Sequence, residues 1–229
     1  MTITTEQALY KLQTWFSPSF PVGAYTYSHG LETAFEQGFV LTIEEACDWI
    51  DGIVTSGNGF ADTVFLARSH EAAGQEDYAQ LVKIAEYAAA FSGTPELRLE
   101  SEAQGAAFID VILKVEPVKA LEELTKTWSG PYAYPVVVGT AAGGIGIDQQ
   151  ATCTAYLHGF VANLSSALVR IVPLGQTDGQ RIIARLGGAV EETVAKALKT
   201  SLEGVSTSTL MVDLTSMQHE TQYTRLFRS

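Results

Sequence analysis

Of the side chains in this sequence, the four histidines are best suited to metal or proton chemistry, and three of them have an acidic neighbour. His29 and Glu32 stand three residues apart, a spacing that on a helix puts imidazole and carboxylate on one face for metal ligation or acid–base work. A second ExxH or HxxxH element is lacking, so a hydrogen-bonded polar pair is the simpler reading of these two residues. A small metal-dependent hydrolase is the sharper one. His70-Glu71 and His219-Glu220 are adjacent pairs whose side chains diverge on a helix, so neither makes a ready dyad. Gly139 to Gly146 is glycine-rich but carries no Gly-Lys-Ser/Thr to cradle phosphate, and no G-x-S-x-G elbow occurs. Cys47 and Cys153 have no CxxC spacing, which argues against a cysteine zinc site and a disulfide framework and fits a reducing cytoplasm. No catalytic residue, metal ligand or cofactor is assigned.

Other clusters suit contacts between proteins better than bond chemistry. Gly175-Gln-Thr-Asp-Gly-Gln180 gathers turn formers and amides before a strongly amphipathic stretch. A turn with Thr177 or Asp178 as N-cap explains part of it. Gln176, Asp178, Gln180 and the adjoining Arg181 exceed what a cap needs and could form a hydrogen-bonding surface for a partner. Phe20, Pro21, Tyr25 and Tyr27 cluster at a loop–helix junction, where Phe20 suits the core and the two tyrosines beside His29 suit a rigid anchor patch. Gln218 to Ser229 is a polar tail carrying Arg225, Leu226, Phe227 and Arg228, either frayed or a docking peptide that orders on binding.

The elements that must position these groups are helical. After Thr5 as N-cap, Ala8, Leu9, Leu12, Trp15 and Phe16 share one face until Pro18. The stretch from Tyr25 continues helically towards Gly38, and Thr42 to Glu45 is a capping box. Helices are expected on either side of a break at Gly57-Asn-Gly59, then over 60–73 and 76–91. Thr94-Pro95 opens another helix that runs to about Val115, and Pro117 opens the next, through Trp128. Pro135 to Ile147 has strand-like Val136-Val-Val138 but also suits a buried apolar helix. Gln149 to Val172 is the candidate central helix, and Ile182 to Leu198 repeats apolar residues every three or four positions. Residues 203–209 look like a flexible linker. With no strand–helix alternation, the expectation is a single all-α, bundle-like domain of about ten helices over 1–229, with 218–229 as its tail.

Bulk properties narrow the function class. A hydrophobic fraction of 46% with 17% charged residues describes a packed globular chain. The formal charge of −12 disfavours nucleic acid and suits a basic protein partner. Met1 to Thr14 lacks the pattern of a signal peptide, and no apolar run reaches membrane-spanning length, so a soluble, cytoplasmic protein is expected.

Three separated blocks are more specific. Ser17-Pro-Ser-Phe-Pro-Val-Gly-Ala-Tyr-Thr-Tyr-Ser-His-Gly-Leu-Glu32, the stretch from Tyr156-Leu to Val169-Arg-Ile-Val-Pro-Leu-Gly-Gln-Thr-Asp-Gly-Gln180, and Met217-Gln-His-Glu-Thr-Gln-Tyr-Thr-Arg-Leu-Phe-Arg-Ser229 resemble the UreF family of urease accessory proteins. Their order agrees as well, and the likeness covers nearly the whole chain. The resemblance implies an all-α homodimer without enzyme activity. Such a dimer joins a second accessory protein, UreD (also called UreH), to the GTPase UreG and couples GTP hydrolysis to nickel insertion into urease. It further implies that His219, Glu220, Tyr223, Arg225, Leu226, Phe227, Arg228 and Ser229 dock on the UreD-type partner, with Leu226 and Phe227 as apolar anchors. Tyr25, Tyr27, His29, Glu32 and the Gln176–Arg181 block would lie on the GTPase-facing surface. A GTPase-activating role has been proposed for the family, for which Arg170 and Arg181 are this chain's candidate arginines. A generic helical interaction module is the alternative that the residues alone leave open.

Overall fold

A computed structural model describes residues 3–229; Met1 and Thr2, at the start of the stretch read as free of a signal peptide, lie outside it. Among the described residues the chain forms twelve α-helices and two 3-10 turns, with no strand.

Helix α1 (Thr5–Trp15) begins one residue earlier than its expected cap. Thr4 accepts from the Gln7 N–H and the Gln7 side chain returns to the Thr4 N–H, a reciprocal box that displaces Thr5 from the N-cap. The aromatic–proline loop makes a 3-10 turn (Ala24–Thr26) and then leaves helical geometry, so the expected continuous helix from Tyr25 is only the short α2 (Leu31–Glu36). The cause is local: His29 and Gly30 both have left-handed backbone, with φ of 58° and 78°. A Cβ at Gly30 would come within 2.9 Å of Ser216 N, so glycine is required there on two grounds.

The capping boxes behave as read. Thr42 and Glu45 bond reciprocally at the start of α3 (Ile43–Ser56), and Thr94 with Pro95 opens α6 (Pro95–Val115). The break before α4 (Asn58–Gly74) is a single residue, Gly57, because Gly59 already lies within that helix against the Val54 backbone. Helix α5 (Tyr78–Phe91) is capped by Asp77, and α7 (Lys119–Thr127) starts two residues beyond Pro117.

The ambiguous valine-rich segment is helix α8 (Tyr134–Ile145), where every residue from Pro135 to Gly143 is buried. Its strand propensity is overridden by close packing on α4: a Cβ at Gly139 would meet Leu66 O at 2.3 Å, and one at Gly143 would meet His70 O at 2.1 Å. Helix α9 (Gln149–Ile171) is the longest but not the innermost, since His158, Ser166 and Arg170 face outward while α4 and α8 are enclosed. The apolar repeat from Ile182 to Leu198 divides into α10 (Gln176–Arg185) and α11 (Gly187–Ala197) at Leu186. Residues 203–209 do not stand off as a linker. They begin within a 3-10 turn (Leu202–Gly204), bury Val205 and tie Ser208 N–H to Ser56 O at 2.8 Å. The chain then enters α12 (Leu210–His219).

Two apolar clusters fill the interior. The larger joins α3, α4, α8 and α9 to the inner face of α1, and the smaller lies between α4, α5 and α7. Burial of these side chains at roughly 25 cal/mol per Å2 of apolar surface is the main force holding the helices together.

Candidate functional site

Parts of the three sequence blocks converge where α2, α6, α9 and the residues after α12 meet: Tyr25–Glu32, Arg170 and His219–Ser229. Glu32 is the hinge of this arrangement. Its carboxylate accepts from the Leu226 N–H at 2.7 Å and the Phe227 N–H at 3.0 Å, groups as many as 195 residues away in sequence. Charge-assisted bonds of this kind, in a buried setting, are stronger than neutral ones.

His219 is fully buried between two acids: Nδ1 lies 2.8 Å from Glu96 Oε2, and Nε2 lies 3.2 Å from Glu32 Oε2. Glu96 also accepts from Arg225 at 3.0 Å. Burial raises the Glu96 carboxyl above its usual range, opposed by His219 and Arg225. Further along, Arg228 N–H donates to Thr26 O, Ser28 N–H donates to the Ser229 main-chain oxygen at 2.7 Å, and the Ser229 hydroxyl donates to Glu100 at 2.9 Å. The Phe227 ring is buried under the Arg170 guanidinium, 4.4 Å from its centroid, while Arg170 donates to Tyr25 O at 2.8 Å.

The tail is therefore seated on the body, where composition suggested a coil with an exposed Leu-Phe pair. Of the two expected anchors, Phe227 points inward and Leu226 outward, at 4% and 56% exposure. Glu220, Tyr223, Arg225 and Arg228 remain exposed. The tyrosine pair also divides: Tyr27 is buried and Tyr25 is exposed. His29 and Glu32 do not share a helical face, because the left-handed turn at His29 and Gly30 intervenes; His29 instead faces Glu100, with Nδ1 3.5 Å from its carboxylate.

The Gln176–Arg181 block lies apart from the tail. Asp178 is not the N-cap but the third residue of α10, where its carboxylate accepts from the Gly175 N–H at 3.0 Å and pairs with Arg181 at 2.7 Å. The Gly175 N–H holds the Asp178 carboxyl below its usual range. Gln176, Gln180 and Arg181 are exposed.

Sequence reasoning missed Glu96, Glu100 and Arg170 as holders of the tail. The first two stand four apart on α6, a repeat visible in the sequence; the convergence that gives it meaning is not. Next to the tail, α12 presents an apolar face to solvent. Leu210, Met211, Leu214 and Met217 are 38–69% exposed at helical spacing, continued by Tyr223 and Leu226. Among the described residues no grouping of three or more His, Cys, Asp or Glu side chains is placed to hold a metal ion, and no helix is long and apolar enough to cross a membrane.

Comparison with known proteins identifies the family. The sequence model of the UreF family matches residues 40–187. The urease accessory protein UreF of Rhodopseudomonas palustris strain BisB5 is 44% identical over 229 residues, covering 99% of this chain and 94% of its own. The UreF proteins of R. palustris strain HaA2 and of Bradyrhizobium diazoefficiens are 45% and 42% identical, each over 97% of this chain and over 94% and 92% of their own. The chain belongs to the UreF family of urease accessory proteins. The UreF family model leaves out both ends of the tail seat, Tyr25–Glu32 and His219–Ser229, which fall outside 40–187. The UreF relatives align over nearly the full length and so extend the likeness to those ends.

Proposed function

We propose that this chain acts in the cytoplasm as a homodimeric scaffold without catalytic activity of its own, bridging a UreD(UreH)-type protein and a UreG-type GTPase so that GTP hydrolysis is coupled to nickel insertion into urease. Family membership supports the urease setting. The observation that carries the docking role is the exposed apolar face of α12, set directly beside a tail seated by Glu32 and Glu96. A helix face of this kind, rimmed by the polar groups of Tyr223 and Arg225, has the composition of a protein interface. The UreD-type partner belongs on that face. The GTPase belongs on the outward side of Tyr25 and the Gln176–Arg181 surface, where exposed Arg181 pairs with half-buried Asp178.

Leu214 and Met217 sit on the outer face of α12, so replacing both with Asp leaves the core contacts of Val212 and Thr215 in place. The doubly substituted protein is expected to keep its helical circular dichroism and to stop co-purifying with the UreD-type protein. Capture at the unaltered level would refute the assignment of this face.

A further inference from the structure

A cavity of about 380 Å3 runs between α4, α6, α8 and α9 and reaches the surface beside Tyr25 and His158. It adjoins the tail seat but has its own chemistry. Asp62, Glu100 and His29 line it, and no lysine or arginine does. Tyr156 donates to the Asp62 carboxyl at 2.8 Å, and burial drives that carboxyl up to about 7. His29 is only 4% exposed, and apart from the 3.5 Å approach of Nδ1 to Glu100 its ring nitrogens make no hydrogen bond. The Phe160 ring stands edge-on to the imidazole at 5.4 Å, and Phe65 and Phe91 add further aromatic wall.

A buried imidazole nitrogen without a partner, as at His29 Nε2, is costly, so the arrangement is explained by a group that donates to it. An anion is opposed by the two acids, and a neutral apolar molecule would leave His29 without a partner. Asp62, Glu100 and His29 are not grouped closely enough to hold a metal ion, as no three such side chains are so grouped among the described residues. A primary ammonium has three donors for an imidazole nitrogen and the carboxyl oxygens of Asp62 and Glu100, and its positive charge suits aromatic faces. We propose that the cavity is a binding site for a small organic cation, a primary ammonium on an apolar body, gripped by Asp62, Glu100 and His29 and walled by Phe65, Phe91 and Phe160. This assignment is independent of the docking role, and neither falls with the other.

The test compares 2-phenylethylamine with 2-phenylethanol, which has the same body and no charge, on the full chain by calorimetry and by the imidazole signals of the histidines in NMR. The amine is expected to bind about tenfold tighter than the alcohol, the worth of one charge-assisted hydrogen bond. It should shift the His29 signals while leaving those of His70, whose Nε2 is engaged with Ile147 O. In Asp62→Asn the amide oxygen can still accept from Tyr156, so the fold should persist by circular dichroism; amine affinity should fall about tenfold and alcohol affinity should not change. Equal binding of the two probes, binding of neither, unmoved His29 signals, or an Asp62→Asn protein that holds the amine as before would each overturn the proposal.

Discussion

Glu32 illustrates how much one carboxylate can organise. It accepts from two main-chain N–H groups of the tail and also contacts one nitrogen of a buried histidine. Glutamine keeps the size but has a single acceptor oxygen, and its NH2 would face an N–H. Glu32→Gln is therefore expected to weaken the tail's attachment by about 1–3 kcal/mol, read as faster hydrogen exchange at the Leu226 and Phe227 amides. Unchanged protection would show that the Ser28, Glu96 and Glu100 contacts suffice. Asp62 makes a separate expectation about pH. Its carboxyl is raised from 3.8 to about 7, so the folded chain keeps a proton that the unfolded chain has already lost. The folded state then binds more protons across that window, and stability falls as pH rises from about 4 to about 7. Glu96 and Asp213 shift in the same direction through burial. Asp62→Asn should flatten the slope of denaturant-derived stability against pH, and an identical slope would contradict this origin. At this scale the sequence was least informative. The His29–Glu32 spacing suggested a shared face that two left-handed residues remove. The adjacent His219-Glu220 pair hid the fact that His219 takes its acids from α2 and α6.

Among the elements, α4 and α8 depend on two glycines. At Gly143 an added methyl would sit 2.1 Å from His70 O, a backbone atom that cannot swing aside. Gly143→Ala should cost about 1–3 kcal/mol or more through overpacking, seen as a lower midpoint in urea. Gly52, inside α3, has nothing within 4 Å of a Cβ. Gly52→Ala should instead gain about 0.5–1 kcal/mol from helix propensity. If both variants moved in the same direction, helix propensity rather than the close α4–α8 contact would govern the pair. Helix starts were legible wherever a side chain supplies the cap, as at Thr42 with Glu45 and at Thr94 with Pro95, because those bonds are local. Helix α8 was not, since Val136 to Val138 favour a strand until α4 encloses them. Nor was the division at Leu186, where an unbroken apolar repeat conceals a change of direction between α10 and α11.

For the whole molecule, the all-helical fold followed from periodicity, and UreF family membership followed from three blocks of sequence. That those blocks meet in space was beyond reach, because the contacts linking residues 25–32, 170 and 219–229 are all long-range. The proposed scaffold role rests on surfaces being presented together: an apolar α12, a seated tail, an exposed Tyr25 and the exposed Gln176, Gln180 and Arg181. The most direct measurement is reconstitution of the chain with a UreD-type protein and a UreG-type GTPase, resolved by size and read for GTP turnover. A ternary assembly that needs this chain, loses the UreD-type protein on the Leu214→Asp and Met217→Asp double substitution, and shows no turnover by the chain alone is the expected result. Failure of the two partners to assemble around it, or GTP hydrolysis by the purified chain itself, would contradict the account.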